Sequence, residues 1–337
     1  MQTARTSLAI TLAALAAVPA LADDVNVYSS RHYDTDEALY DNFTEATGIQ
    51  VNRIEGTPEE LIARMKAEGA NSPADIFLTV DAGRIWLADK DGLLQPVRSE
   101  VLEQRIPAHL RHPDGRWFGL SQRARVIYYA KDRVPNPPQT YEALADPAYK
   151  GMVCIRSSSN IYNLSLMSAM IANHGEAEAK AWAEGLLANL ARAPEGGDSD
   201  QIKAVVSGEC DIAVANTYYF FRGIGNEEPG IVEGVDNIGV VFPNQETTGT
   251  HVNIAAAGVA AHAPHPDAAI SFLEYLATPE AQAYFANQNY EYPAAADAEV
   301  AEVPASYGTF KSDTLNLSAL GENQPKAQAI FNEIGFP

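Results

Sequence analysis

The fold is decided by the stretch VNVYSSRHYDTDEALYDNFTEATGIQVNRIEGTPEELIARMKAEGANSPADIFLTV, residues 25–80. Three short apolar segments, at 25–28, 49–54 and 75–80, alternate with two helical patterns. The second helical start is well marked, because Thr57-Pro58-Glu59-Glu60 places threonine at the N-cap, proline at the first helical position and glutamate at the capping-box position. With a further helix at 84–89, the order βαβαβα predicts an α/β fold with a mixed, mostly parallel sheet.

The same alternation continues through the chain. Further strands are predicted at 124–130, 151–155, 210–216, 239–242 and 251–259, and helices at 164–174, 176–190, 198–206, 266–277 and 326–334. The segments at 239–242 and 251–259 would return the chain to the first half of the molecule. We therefore expect two lobes joined by a strand hinge, an N-terminal lobe of residues 23–121 plus 245–290 and a C-terminal lobe of residues 122–244 plus 291–337.

The first 22 residues are typical of a secretory signal peptide. Arg5 supplies a positive start, residues 8–18 are apolar, and Ala20-Leu21-Ala22 fits the small-residue cleavage pattern. No later stretch approaches the roughly 20 apolar residues that a membrane-spanning helix needs. The chain has 23 basic and 44 acidic residues, and only Arg5 lies in the removed segment, so the mature chain would carry a net charge of −22. This excess of acid argues against a nucleic-acid partner.

Two cysteines, Cys154 and Cys210, remain after export. An even number in an oxidising compartment favours a disulfide. A thiolate metal site and two buried free thiols are the alternatives, although no CxxC spacing supports the former.

Tyrosines follow three of the predicted strands. Ligands of open α/β sheets bind outside the carboxyl ends of the strands, so these positions are candidates for one shared site. The chain has 15 tyrosines, and the pair Tyr128-Tyr129 is interpreted as strand structure, with one ring on each face. The candidate residues that follow strands are His32, Tyr33, Tyr162, Tyr218 and Tyr219.

A cluster of phenols suits a hard, strongly polarising cation. A phenol with a pKa near 10 ionises at neutral pH only beside a large positive charge, and phenolate is a hard oxygen donor. Fe(III) meets this requirement best, since calcium prefers carboxylates and carbonyls and zinc prefers cysteine and histidine. Four phenolates around Fe(III) leave one negative charge, for which Arg123, Arg125 and Arg222 are candidate neighbours.

Several motifs resemble the periplasmic iron-binding proteins of ferric ABC importers, in particular their tyrosine-rich, cyanobacterial-type branch. They are SSRHY (29–33), ADIFLTVDAGR (74–84), SQRARVIYY (121–129), CIRSSSNIYN (154–163), GGDSDQIKAV (196–205), CDIAVANTYY (210–219) and GTHVNIAAAGV (249–259). The resemblance spans nearly the whole mature chain. It implies a two-lobed type II periplasmic binding protein in which one iron ion is bound between the lobes and delivered to an inner-membrane permease with its ATPase.

By this resemblance Tyr33 comes from the first lobe and the other three tyrosines from the second, with His32 as an optional fifth ligand. Arg123 and Arg222 match arginines that lie behind the ligands and whose engagement varies with iron oxidation state. The family's other pattern, a histidine and a glutamate with a tyrosine pair and a bound anion, is not present, which puts an anionic co-ligand in doubt. Residues 157–160 open a helix and could hold an anion, although N-capping explains them more simply.

The expectation is therefore a periplasmic, monomeric iron carrier without catalytic activity, for Fe(III), with Fe(II) as the alternative. A rival interpretation keeps the fold and assigns the tyrosines to a cage for a small organic ion. A secreted hydrolase has little support, since neither G-x-S-x-G nor H-E-x-x-H occurs.

Overall fold

A computed structural model describes residues 24–31 and 33–337, so the predicted signal peptide and His32 lie outside the described residues. The strands are β1 Asp24–Ser29, β2 Gln50–Glu55, β3 Ile76–Val80, β4 Phe118–Ala130, β5 Val153–Cys154, β6 Ile212–Asn216, β7 Ile238–Val241, β8 Val252–Val259 and β9 Tyr292–Pro293. The helices are α1 Glu37–Thr47, α2 Pro58–Glu68, α3 Ala82–Lys90, α4 Glu100–Arg105, α5 Ile161–His174, α6 Glu176–Ala188, α7 Asp198–Ser207, α8 Thr217–Gly225, α9 Pro266–Leu276, α10 Pro279–Asn289, α11 Glu302–Ser306 and α12 Ser318–Glu333.

Helix α2 forms as its start signal predicts. The Thr57 hydroxyl accepts from the Glu60 backbone N–H at 3.3 Å, and the Glu60 carboxylate accepts from the Thr57 N–H at 3.0 Å. This reciprocal pair satisfies two N–H groups that a helix end otherwise leaves without partners. The predicted inward residues, Leu61, Ile62 and Met65, are buried.

The strands form one mixed sheet in the order β2-β1-β3-β8-β4-β6-β5, and β7 and β9 also pair with β4. Parallel pairs join β1 to β2, β1 to β3 and β5 to β6. The pairs made by β4, and the pair of β3 with β8, are antiparallel. The α/β class with a mixed sheet is confirmed, and its parallel share is smaller than expected because the returning strands β4 and β8 run against their neighbours.

Strand β4 is the element shared by the two sides of the sheet. Residues 118–124 pair with β8, whereas residues 125–130 pair with β6 and β7. The sequence predicted only 124–130, because the polar residues 121–123 interrupt the apolar pattern. A side chain at Gly119 would lie 2.8 Å from the Leu110 carbonyl oxygen, so glycine is required by the close approach of another backbone segment. The exact division of the chain into lobes stays a prediction.

Two other predicted elements differ in length. The strand expected at 151–155 is reduced to the two residues of β5, and the last helix begins at Ser318 rather than near Lys326. Pro325 lies inside α12. Because proline usually marks a helix boundary, the sequence pattern did not predict the first half of this helix. The helix is held there by packing, since Leu320, Ala327 and Phe331 are all buried.

The predicted disulfide is confirmed. Cys154, in β5, and Cys210, just before β6, are bonded, with their Cα atoms 5.9 Å apart. Both residues are buried, and β5 and β6 are neighbouring parallel strands. The bond therefore ties the start of β6 to the edge strand of the sheet. In the part of the chain that the structure describes, no helix is both long and apolar enough to cross a membrane.

Candidate metal centre

The candidate tyrosines stand at the ends of strands, as predicted. Tyr33 follows β1, and Tyr218 and Tyr219 occupy the first turn of α8 directly after β6. Tyr162 lies in the first turn of α5, whose N-cap is Asn160. The Asn160 side chain accepts from the Tyr162 backbone N–H at 3.1 Å, so capping accounts for this asparagine.

The structure brings the four phenols together. The hydroxyl oxygens of Tyr162 and Tyr218 are 3.4 Å apart, and the ring centroids of Tyr218 and Tyr219 are 4.2 Å apart. Burial raises the pKa of Tyr218 well above its ordinary value, and the phenols of Tyr33, Tyr162 and Tyr219 raise it further, while Arg123 lowers it. Tyr33, from the other side of the sheet, therefore faces the same small volume.

The pKa values of Tyr219 and Tyr33 are also raised, which favours their neutral form. Burial raises the pKa of Tyr219, with Tyr162 and Asp198 acting in the same direction. Burial likewise raises the pKa of Tyr33, as does Glu291, whereas Arg31 and Arg123 lower it. Buried phenols that raise one another's pKa cannot all ionise unless a strong positive charge enters among them.

The two predicted arginines flank this cluster. Arg123, on β4, is buried and places its guanidinium carbon 5.6 Å from the Tyr218 ring centroid. Arg222 lies on α8, with its guanidinium carbon 5.8 Å and 5.4 Å from the ring centroids of Tyr218 and Tyr219. Its return to the tyrosine face, three residues past Tyr219, follows from helical spacing.

A buried glutamate, Glu291, was missed by the sequence analysis. It precedes β9 and accepts hydrogen bonds from Arg123 at 2.6 Å, from Arg31 at 3.3 Å and from Ser121. Burial would raise its pKa, but the two arginines and the serine outweigh burial and lower the pKa to about 2. A lone acid between Tyr290 and Tyr292, in an otherwise uncharged run, was the signal available in the sequence.

Arg31 also belongs to this group and was given no role from the sequence. Its guanidinium pairs with Asp36, with 2.7 Å between Nε and Oδ2, and lies 4.6 Å from the Tyr33 ring centroid. Arg31 and Arg123 thus share Glu291 and place positive charge beside Tyr33 and Tyr218. Two of the arginines beside the site, Arg31 and Arg123, are therefore held by buried ion pairs.

A second buried network lies behind Tyr162 and Tyr219. Arg125 donates to Asn163 at 2.6 Å, to Asn216 at 3.1 Å and to Asp198 at 3.3 Å. Its guanidinium carbon is 6.0 Å from the Tyr162 ring centroid, which agrees with its candidacy as a neighbouring cation.

Two acids, Asp198 and Asp200, lie in the first turn of α7, and only Asp200 serves the helix end. The N-cap is Gly197, whose N–H donates to Asp200 at 2.6 Å, while Asp198 turns inward to Arg125. The carboxylate of Asp198 satisfies the buried arginine instead of the helix end, since an unpaired buried guanidinium would be costly.

The donor set is unusual for a metal centre. In residues 24–31 and 33–337, no three histidine, cysteine, aspartate or glutamate side chains are grouped so that they could hold a metal ion. The cluster therefore differs from zinc and calcium sites, which use those side chains. What the site offers is four hard phenol oxygens within a partly buried, arginine-flanked volume.

Fold and site together define a binding protein of the type II periplasmic class, with ligand groups gathered where the strands of both sides of the sheet end. The family model described as bacterial extracellular solute-binding protein matches residues 71–311, and the chain belongs to this family. It is 51% identical over 325 residues to iron uptake protein A1 of Synechocystis, covering 96% of this chain and 90% of that protein. It is 52% identical to iron uptake protein A2 of the same organism, covering 93% of this chain and 90% of that protein.

Solved structures agree with the sequence relatives. The Trichodesmium protein IdiA (FutA), in complex with iron and citrate ligands, superposes with a TM-score of 0.90 at 50% identity, covering 93% of this chain and all of that chain. Apo FutA2 from Synechocystis superposes with a TM-score of 0.89 at 51% identity, covering 94% of this chain and all of that chain. The predicted resemblance and the type II fold are both confirmed.

Proposed function

We propose that this protein is the solute-binding subunit of an iron ABC importer and binds one Fe(III) ion through Tyr33, Tyr162, Tyr218 and Tyr219. The observation that carries the proposal is the convergence of four phenols from three separate segments, with buried arginines around them. Relatives at 51% and 52% identity that are named for iron uptake support the same cargo. His32, which neighbours Tyr33, is proposed as an optional fifth ligand.

The two sides of the site would act in sequence. Tyr218 and Tyr219, adjacent on α8, meet the ion first, and Tyr33 then reaches it as the lobes close about the crossing strands β4 and β8. This requires the lobes predicted from the sequence, residues 23–121 plus 245–290 and residues 122–244 plus 291–337. The closed form would be the one that the permease and its ATPase accept.

Charge explains why the ion must be strongly polarising. Each phenol that binds must lose its proton, and burial and mutual repulsion raise the pKa values of Tyr33, Tyr218 and Tyr219. A trivalent ion supplies the local positive charge that makes ionisation favourable. Affinity should therefore rise with pH. Reduction to Fe(II) lowers that charge, so the pocket would hold Fe(II) only with fewer phenolates or with different arginine contacts.

The decisive variant is the double substitution Tyr218→Phe with Tyr219→Phe. It removes two oxygens and keeps both rings, so packing is preserved while iron binding and the visible phenolate-to-iron absorption are lost. Tyr149→Phe is the matched control, because the Tyr149 hydroxyl donates to the Asn136 carbonyl, outside the site. Iron content and absorption spectra of the three proteins provide the measurement. Wild-type colour in the double variant would refute the ligand assignment.

Metal analysis of the purified protein separates this proposal from the rival one, a small organic ion within the same fold. Iron at about one equivalent supports the metal, whereas no uptake of iron together with a bound organic ion supports the rival. Spectra before and after mild reduction, with iron measured in both samples, determine whether the site retains Fe(II).

The cellular setting is part of the proposal. We propose that residues 1–22 are cleaved on export and that the mature protein works in the periplasm as a monomer without catalytic activity. Membership of an extracellular solute-binding family supports this setting. An intact mass corresponding to a chain that begins at Asp23 is expected for protein taken from the periplasmic fraction.

A further inference from the structure

A further buried acid, Asp81, stands at the junction of β3 and α3, close to the tyrosine site but outside it. It is fully buried, and its carboxylate accepts hydrogen bonds from the Gly83 N–H at 2.7 Å and the Asn253 side chain at 2.7 Å. The Ser165 hydroxyl lies 2.9 Å and 3.0 Å from its two oxygens. Of these contacts, only the one with Gly83 belongs to α3 itself, since Asp81 is the N-cap of that helix. The contacts with Ser165 and Asn253 are not needed to form β3 or α3.

The other two donors belong to the parts of the molecule that carry the site. Ser165 lies on α5, three residues after Tyr162, so the two residues are neighbours on one helical face. Asn253 lies on the crossing strand β8, directly opposite Arg123 of β4. One carboxylate therefore joins the end of β3, the helix that presents Tyr162 and the strand pair that presents Arg123.

The backbone at Asp81 shows that this position is held by its surroundings. Its φ of 83° lies in a region that residues with a side chain rarely adopt, and glycine would be the natural choice there. Such a conformation persists only where neighbouring contacts fix it. Aspartate at a position that suits glycine indicates that the contacts of the carboxylate, and not the backbone conformation, account for the residue found there.

We propose that Asp81 is a positioning residue which, through Ser165 and Asn253, locks helix α5 and the phenol of Tyr162 in place against the β4–β8 strand pair. The lock itself contains none of the proposed iron ligands, so it can be measured in the metal-free protein. Its effect on iron rests on the proposed function, so the two are tested by separate measurements.

Helix α5 provides its own matched control. Ser165 and Ser168 are both buried, yet the Ser168 hydroxyl has no hydrogen-bond partner within the described residues. Ser165→Ala removes the bond to Asp81, whereas Ser168→Ala removes an oxygen that bonds nothing. In hydrogen–deuterium exchange of the metal-free proteins, the amides of 161–168 should exchange on the order of tenfold faster in S165A, since a hydrogen bond to a charged group is lost. They should keep the wild-type rate in S168A.

Exchange in S165A at the wild-type rate, or equal acceleration in both variants, would overturn the proposal. Asp81→Gly distinguishes the effect of the carboxylate from that of the backbone conformation. Glycine adopts the positive φ without strain, and it removes the carboxylate that forms the lock. Fast exchange in D81G, as in S165A, supports the carboxylate. Wild-type exchange in D81G would show that the residue serves the backbone alone, and would refute the inference.

Iron release is the second measurement. With EDTA as the competing chelator, S165A should release iron on the order of tenfold faster than the wild type, with the phenolate absorption maximum unmoved, and S168A should match the wild type. Equal release from all three proteins would refute the link from the lock to the site. If the wild type takes up no iron, the proposed function fails, while the exchange measurement still decides whether Asp81 locks α5.

Discussion

At the scale of single residues, Glu291 balances the positive charge of Arg31 and Arg123 beside the phenols, although it lies close to the C-terminal end of the chain. Its lowered pKa of about 2, against an ordinary 4.5, means that the fold favours the ionised carboxylate. A carboxylate whose pKa is lowered contributes stability that is complete above its unfolded pKa and is lost as the pH falls through its folded pKa. This contribution is therefore present above about pH 4.5 and absent below about pH 2.

Glu291→Gln should lower the free energy of unfolding at pH 7 by about 3 kcal/mol, because the amide leaves Arg31 and Arg123 short of one negative charge. The difference from the wild type should shrink steadily between pH 4.5 and pH 2. Denaturant unfolding at a series of pH values measures both effects. Glu299→Gln is the control, since Glu299 is exposed and makes no ion pair in the described chain. A deficit that stays constant across this pH range would contradict the role assigned to Glu291.

The sequence identified the phenols and three of the arginines near them at this scale, but not Arg31 or the buried acids that pair with the arginines. The four tyrosines follow apolar strands, so their place at one sheet edge is a local property that can be read along the chain. The bond between Arg31 and Glu291 joins residues 260 positions apart, and no local pattern indicates such a pair. Asp198 shows the same limit, because its position suits a helix cap until the buried Arg125 is known to lie beside it.

At the scale of secondary-structure elements, the disulfide is a covalent constraint on the edge strand β5. The bond spans 56 residues and adds to the parallel pairing that joins the two residues of β5 to β6. In the chain-entropy model, closing a loop of this length stabilises the fold by about 4 kcal/mol, and measured values are commonly about 2–4 kcal/mol.

Reduction of the bond should therefore lower the denaturant midpoint of the wild type. The double variant Cys154→Ala with Cys210→Ala should begin at the lower midpoint and show no response to reductant. Thiol counting under denaturing, non-reducing conditions should find no free thiol in the wild type. Two free thiols there, or an equal response to reductant in the variant, would contradict a constraining bond.

Elements were predictable where their signals are local and complete. Helix α2 has its capping box, its inward apolar residues and its terminal glycine within 13 residues, and it formed as predicted. Helix α12 was cut short in the prediction at Pro325, and strand β4 at the polar residues 121–123. In both places tertiary contacts override the local preference, by burial of one side of α12 and by the pairing of residues 118–124 with β8.

At the scale of the whole molecule, β4 and β8 connect the two sides of the site. β4 pairs with β8 along its first half and with β6 and β7 along its second half. Tyr33 follows β1 on one side of this connection, and Tyr218 follows β6 on the other. The return of the chain at 251–259 was predicted from its apolar pattern, but the antiparallel pairing was not, because a strand's direction within a sheet is set by the path of the whole chain.

Because Tyr33 is the phenol contributed from the β1 side, Tyr33→Phe should separate iron capture from closure. Tyr162, Tyr218 and Tyr219 remain, so the variant should still bind iron and show phenolate absorption, with lower affinity. It should lack the ligand that draws the lobes together, so the radius of gyration from small-angle X-ray scattering should fall on iron binding in the wild type but not in the variant. Tyr28→Phe is the control on the preceding strand, β1, because the Tyr28 hydroxyl bonds Glu68, away from the site. Compaction of the Tyr33 variant equal to that of the control would show that closure does not depend on this phenol.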